Sequence, residues 1–315
     1  MGNKTLIVCF GPLGRLLNGF CAVARLRETC PDDQLVLLTD PSMVGLATKA
    51  PWFDDVISAN LSDTEVKPSQ LTKAIKQRKF DRIIDLERST RTRKLFAGFG
   101  LFAPKFAGAA PRAKWRVAAN NAHPIDADDL LLDAMGIGKT HTDLSLGPQL
   151  DWLLRLAGQT PSTKPGYFGL DGPYILLNLG KSQPDQGWPE TAFAELSEQL
   201  IASGITVAIT GNINARELAK PLLRAFPQIC DLCARADPFQ LAALGTEAKG
   251  VVGLPDGILH LCAAGAGRCI SLHGSQSSAE QTAIRSPNAM TLIGEPLDTL
   301  LAKDVLRTMK MFGAL

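Results

Sequence analysis

Long apolar runs are the first thing this 315-residue sequence lacks. No stretch approaches the ~18 consecutive apolar residues that cross a bilayer, so no membrane-spanning signal is written in it. The run in "MGNKTLIVCF" stops at "GPLG", too soon for a secretory h-region, and the expected location is the cytoplasm. A large excess of either charge is also missing: 33 Lys and Arg against 31 Asp and Glu leave a formal charge of +2. The seven cysteines are odd in number and scattered, with Cys9, Cys21, Cys262 and Cys269 inside apolar runs. That pattern excludes a disulfide framework and fits reduced core thiols. "CDLC" at 230–233 is the one cysteine pair at ligand spacing, and the two further ligands of a zinc site are not spaced nearby. Nothing calls clearly for a divalent metal or a resident cofactor. Repeats and low-complexity segments are absent as well.

What is present is enough chain for two cores, and two domains of about 150 residues are the natural expectation. With 45% hydrophobic and 20% charged residues the composition is that of an ordinary globular protein. Short apolar runs alternate with helical patterns: "KTLIVCF", a helix over 16–29, "QLVLLTD", a helix near 42–49, "DDVISA", a helix over 68–78, then "FDRIIDL". Strands separated by helices mean a parallel sheet. An irregular middle and a helix over 126–137 follow, and "TPSTKPGYFGLDGP" at 160–173 reads as an interdomain linker. The alternation then restarts with "YILLNLG", "ITVAITG", "GVVGL" and "RCISLHG" as strands, and "LDTLLAKDVLRTMKMF" closes the chain as an amphipathic helix.

Charge is uneven along this frame. Residues 76–116 hold twelve Lys or Arg against Asp81, Asp85 and Glu87. Such a segment is either a solvated helix face or a surface for an anionic partner, a phosphorylated acceptor or the cytoplasmic leaflet. Aromatics that would stack bases are few there, so nucleic acid is not the expected partner.

Ligands of open parallel sheets sit outside the carboxyl ends of the strands. The informative residues are therefore Gly11 to Arg15, Asp40, Glu87, Lys181 to Trp188, Thr210 to Asn212, Asp256 to His260 and His273 to Ser275. In "GLPDGILHLCAA", Asp256 is placed to cap a helix, Gly257 to let a phosphate approach its amides, and His260 to lie one turn on. The plainer alternative is a cap followed by a satisfied core histidine.

The order of these pieces resembles glycosyltransferase family 9, the bacterial lipopolysaccharide heptosyltransferases with the GT-B fold. The likeness covers nearly the whole chain, through "CFGPLGRLLNGFCAVARLRETCPDDQLVLLTDP", "WFDDVIS", "FDRIIDLERSTRTRKLFAGFG", "YILLNLGKSQPDQGWPETAFAELSEQLIASGITVAITGN" and "VVGLPDGILHLCAAGAGRCISLHGSQSS". It implies an α/β protein of two Rossmann-like domains whose parallel sheets face a central cleft. Residues 1–160 would form the acceptor side, 161–300 the nucleotide-sugar domain, and 301–315 a helix returning to pack on the first domain. It also implies inverting transfer of a heptose or related sugar from a nucleotide sugar to an anionic cell-envelope glycan or glycolipid, with peripheral contact at the inner membrane surface. Lys181, Ser182, Gln186, Thr210, Gly211, Asn212, Asp256, Gly257 and His260 would hold the donor, and Gly14, Arg15, Arg88 and Arg91 the acceptor.

Three departures fall on the family's chemistry. Its first-loop Asp, the base for the acceptor hydroxyl, is replaced by Arg15, and a guanidinium cannot accept a proton near neutral pH. Gln186 stands where the family's K-x-W motif has Lys, although Trp188 and Pro189 are kept. Leu254 and Pro255 stand where the family has Asn-Asp, and Asp256 takes the Ser/Thr position. One reading is a glycosyltransferase in which Glu87, after the "RIIDL" strand, takes the proton and Arg15 sits at the cleft mouth facing an anionic group. Pairing of Arg15 with Asp40 or Glu87 is the structural alternative. Another reading is a GT-B protein that binds a glycan or nucleotide, or a partner, without turnover. A Rossmann dehydrogenase is the remaining one, and "GPLGR" lacks its G-x-G-x-x-G.

Overall fold

The computed structural model describes residues 2–60, 68–100, 103–117, 121–139, 143–180 and 187–315. The chain divides into two compact units, Met1–Pro148 and Gln149–Leu315.

In the first unit the strands are β1 (Lys4–Cys9), β2 (Gln34–Thr39), β3 (Asp55–Ser58), β4 (Arg82–Asp85), β5 (Lys105–Gly108) and β6 (Trp115–Arg116). All pair in parallel, in the order β3-β2-β1-β4-β5-β6. The helices are α1 (Leu13–Thr29), α2 (Val44–Ala47), α3 (Pro68–Gln77), α4 (Thr90–Ala97) and α5 (Pro124–Ala134). Because the order runs one way from β1 and the other way from β4, right-handed crossovers put α1 and α2 on one face and α3 and α4 on the other. Leu6, Val8, Ile83, Phe96 and Phe106 fill the α3/α4 face. On the opposite face Arg25 of α1, 2% exposed, ties α1 to α5. Its guanidinium pairs with Asp129 and Asp133 and donates to the carbonyl oxygens of Ile137 (2.6 Å) and Gly138 (2.8 Å).

The second unit repeats this topology. Its strands are β7 (Tyr174–Asn178), β8 (Thr206–Thr210), β9 (Cys230–Asp231), β10 (Gly250–Gly253), β11 (Cys269–His273) and β12 (Ala289–Ile293). They form a parallel sheet in the order β12-β11-β10-β7-β8-β9, which is the first sheet's order counted from β7. The helices are α6 (Asp151–Gly158), α7 (Glu190–Ala202), α8 (Ala215–Ala225), α9 (Pro238–Glu247), α10 (Gly257–Ala263), α11 (Gln276–Thr282) and α12 (Ala302–Met311). The central strands β7, β10 and β11 are buried along their whole length, as parallel strands covered on both faces must be.

Four expectations change. The division falls at 148/149 and not at 160/161, because α6 packs on α9. The segment 160–173 is not a solvated linker: it forms short 3-10 turns and buries Thr163, Pro165 and Leu170. The closing helix α12 belongs to the second unit, where Val305 and Met309, both fully buried, join Leu196 and Leu200 of α7 in one core. Apolar area decides this, since its buried stripe completes the layer over α7. Trp188, expected beside a ligand, is 4% exposed. Its Nε1 donates to the Leu300 carbonyl (2.7 Å) and its ring meets Phe193 edge-on. The free thiols of Cys9, Cys233, Cys262 and Cys269 are buried.

Met309→Ala should therefore loosen the second unit, at the ~2–5 kcal/mol typical of a buried Met truncation. Hydrogen exchange on the full chain is expected to lose protection in α7 and β7 and to leave β1 and β4 unchanged. Equal loss in β1 would place α12 in the wrong unit.

Candidate functional site

In each unit the strand order reverses between two central strands, β1 and β4 in the first, β7 and β10 in the second. The crevice beyond the carboxyl ends at such a reversal is where parallel α/β sheets bind ligands. Both reversals are bridged by polar side chains.

In the second unit the bridge is Asn178, the last residue of β7 and fully buried. Its Nδ2 donates to the Leu254 carbonyl (2.9 Å) and to Asp256 Oδ1 (2.9 Å), while its Oδ1 accepts from Thr210 Oγ1 (3.3 Å). The contact needs Gly253: a Cβ there would lie 2.2 Å from the Asn178 carbonyl oxygen. Asp256 Oδ1 also accepts from the amides of Ile258 and Leu259, both at 2.9 Å. The displaced carboxylate thus does the capping work of a Ser or Thr, and these two amides of α10 are already bonded. Asp256 caps α10 as its position in the sequence suggests; Gly257 opens the helix, and His260, 7% exposed, lies on it one turn after the cap. After β8, Asn212 Oδ1 accepts from the amides of Asn214 (2.9 Å) and Ala215 (3.2 Å) and so starts α8. Gly211 is packed so closely that a Cβ would fall 2.4 Å from that of Ala215. At the end of β11, burial pushes the His273 imidazole down to about 4, so it is neutral at physiological pH. Thr210, Gly211, Asn212, Asp256, Gly257 and His260 are thereby brought to one sheet edge, with Asn178 as the residue that the sequence reading missed. Lys181, Ser182 and Gln186 lie outside the described residues.

In the first unit the bridge is Glu87. Its Oε2 accepts from the amide of Phe10, just past β1 (3.2 Å), and a Cβ on Gly11 would be 3.0 Å from the same oxygen. The carboxylate, half-buried, therefore stands against the β1–α1 turn. Asp85, ending β4, shapes the loop that presents it: its Oδ1 accepts from the Arg88 amide (3.0 Å) and its Oδ2 from Thr92 Oγ1 (2.7 Å). That grip holds Arg88 at φ 51°, a conformation that costs a non-glycine residue about 1–3 kcal/mol. Burial pushes the Asp85 carboxyl up to about 6.

Arg15 does not point outward. It turns back over its own unit, where Nη2 bonds the Leu86 carbonyl and lies 2.7 Å from Asp128 Oδ1 on α5. Asp128, fully buried, meets Arg88 Nη1 at the same distance. The partner is thus Asp128 and neither Asp40 nor Glu87; Asp40 caps the turn at 41–43 through Ser42. Burial works against the Arg15 charge, but Asp128, through attraction and hydrogen bonding, together with Cys9 and Glu87 outweighs it and holds the guanidinium above its usual range. Arg88, expected to reach an acceptor, is likewise held by Asp128, whereas Arg91 is exposed and Gly14 sits half-buried in the first turn of α1. No local pattern could have shown this pairing, since Arg15 and Asp128 are 113 residues apart.

Two Rossmann-like units of one topology, each with polar side chains gathered at its switch point, define the GT-B class of α/β proteins. Solved structures carry the same fold. A family 9 glycosyl transferase from Veillonella parvula matches with TM-score 0.82 at 15% identity, over 98% of this chain and 97% of that one. The E. coli ADP-heptose lps heptosyltransferase II matches at 0.77 and 18%, over 98% of both chains. E. coli heptosyltransferase WaaC with ADP matches at 0.75 and 19%, over 98% of this chain and 99% of that one. No curated protein matches the sequence. The model of glycosyltransferase family 9 (heptosyltransferase) matches residues 69–298, and the chain belongs to that family.

Two outcomes follow from the first-unit geometry. Asp128→Ala would leave two inward-facing guanidiniums without their counter-charge and should destabilise the first unit by ~3–5 kcal/mol, seen as lost exchange protection in α1 and α5; unchanged protection would mean the cluster is slack. Asp85 titrates higher folded than unfolded, so its contribution is full below its unfolded value near 3.8 and is lost as pH rises through about 6. Asp85→Asn should remove that pH dependence, flattening the first unit's stability curve between about pH 4 and 6 by on the order of 3 kcal/mol. Parallel curves for the two proteins would contradict the assignment.

Proposed function

We propose that this family 9 glycosyltransferase transfers a heptose or related sugar, with inversion, from a nucleotide sugar to an anionic cell-envelope glycan or glycolipid. The observation that carries the mechanism is the Glu87 carboxylate, set against the β1–α1 turn where the family's base would stand. Glu87 takes the proton of the acceptor hydroxyl as that oxygen attacks the anomeric carbon. The bond from that carbon to the donor phosphate breaks, and the nucleoside diphosphate leaves with its electron pair. Arg15 cannot be the base; with Arg88 it brackets Asp128, and these three charges sum to +1 behind the Glu87 loop. Exposed Arg91 is placed to meet an anionic group of the acceptor. The donor is assigned to the second unit, at the ends of β7, β8 and β10, with Gly257 allowing close approach. ADP, present in a structural relative, is the first nucleotide to try. Among the described residues no helix is long and apolar enough to cross a membrane, and work at the cytoplasmic surface of the inner membrane is part of the same proposal.

The test is release of ADP from ADP-heptose with a lipopolysaccharide-core acceptor. Glu87→Gln should lower kcat by ~10²- to 10⁴-fold, the usual worth of a general base, with the calorimetric Kd for ADP unchanged. Gly257→Val should weaken ADP binding and spare the first unit. Undiminished turnover in Glu87→Gln would remove Glu87 from the mechanism, and unaltered ADP binding in Gly257→Val would mean a different pocket.

A further inference from the structure

The basic segment read from the sequence encloses a feature that the transfer reading does not use. On the α3/α4 face of the first sheet lies a cavity of about 380 Å³ walled by Ile83, Phe96, Phe99, Pro104, Phe106 and Ala110. That volume lies in the range ligand pockets use, roughly 300–1,000 Å³. Its aromatic walls are fixed: Phe96 packs 4.1 Å from Phe106 and 5.9 Å from Phe99, centroid to centroid. A second cavity of about 490 Å³ shares Phe99 and Pro104 with it and continues past Ile75 and Phe80. The two lie side by side against the Phe99 and Pro104 wall, and hollows so lined gain by exchanging water for hydrocarbon.

The rim is cationic. Arg93 and Arg112 border the first cavity and Lys76 and Lys79 the second. Of the basic residues in 76–116, Arg78, Arg82 and Arg88 are in ion pairs. Among the described residues none of the four rim cations is. Lys76 reaches the Gly98 carbonyl (3.1 Å) and lies 5.7 Å over the Phe99 ring, and Arg93 reaches Thr90 Oγ1 (3.0 Å). Neighbouring apolar hollows whose rim cations are outside any ion pair match one chemistry, a hydrocarbon chain ending in an anion. The site of Arg15, Glu87 and Asp128 does not overlap it, since α1 and α5 cover the other face.

We propose that these hollows take one acyl chain of an anionic membrane lipid, with the lipid headgroup on Lys76, Lys79, Arg93 and Arg112. The assignment is independent of sugar transfer, because a lipid would be held here whether or not the protein turns over.

The experiment measures binding of the full-length protein to phosphatidylcholine vesicles with and without phosphatidylglycerol, and retention of one phosphatidylglycerol by native mass spectrometry. Binding is expected only with phosphatidylglycerol, and it should weaken with added salt. A basic residue near an anionic leaflet is worth about fivefold in affinity, so Arg93→Glu with Arg112→Glu should cost about 25-fold or more. Ala97→Trp, on an exposed wall position, should abolish retention of the single lipid while far-UV circular dichroism and ADP affinity stay unchanged. Retention surviving Ala97→Trp would overturn the acyl-chain assignment and leave surface adsorption. Equal binding to both vesicle types, or none to either, would overturn the proposal outright.

Discussion

The two bridging side chains, Asn178 and Glu87, owe their places to the reversal of strand order inside each sheet. When neighbouring parallel strands send their crossovers to opposite faces, the two loops leaving them part, and a crevice opens at their carboxyl ends. Its walls expose backbone polar groups that need partners. The second unit meets that need with Asn178, which binds the loop after β10 and the cap of α10 at once. The first unit meets it with Glu87, which reaches from the end of β4 to the amide after β1. The same topological demand is answered by a neutral amide in one case and by a carboxylate in the other. The neutral solution leaves the second switch point uncharged; the charged one sets a carboxylate against the β1–α1 turn.

The departures from the family pattern take on physical sense in this frame. Asp256 stands one place late and serves as a cap, bonding two amides of α10. Arg15 replaces an acid and brings its own acid, Asp128, from a distant helix. Arg15→Asp would withdraw one of the two guanidiniums from buried Asp128 and add a second acid to the same end of the unit, so the substitution that looks like a repair in the sequence would be a loss of counter-charge in the fold.

The fold was largely legible because its central strands are buried on both faces and so read as continuous apolar runs between helices. "YILLNLG" and "RCISLHG" show this without ambiguity. The strands beyond β4 were not legible: β6 has two residues and β5 four, mixed in character, and they vanished into the irregular middle. The strand-end rule found Glu87, Thr210, Asn212 and Asp256, since it needs only local order. It could not find which way Arg15 turns or that α12 joins α7, because both are decided by partners far along the chain. Asn178 was in plain view at a strand end and lacked only a charge to attract notice.

One consequence concerns how the first unit can move. Arg15 and Arg25 lie ten residues apart on α1, about 15 Å along a helix, and each is clamped to acids of α5. Two rivets at that spacing prevent sliding and rotation alike, so α1 and α5 behave mechanically as a single strut. The β1–α1 turn is the end of that strut. The loop after β4 is fastened to the same strut, through Arg88 on Asp128 and Arg15 on the Leu86 carbonyl, so turn and loop must shift together with α1 and α5.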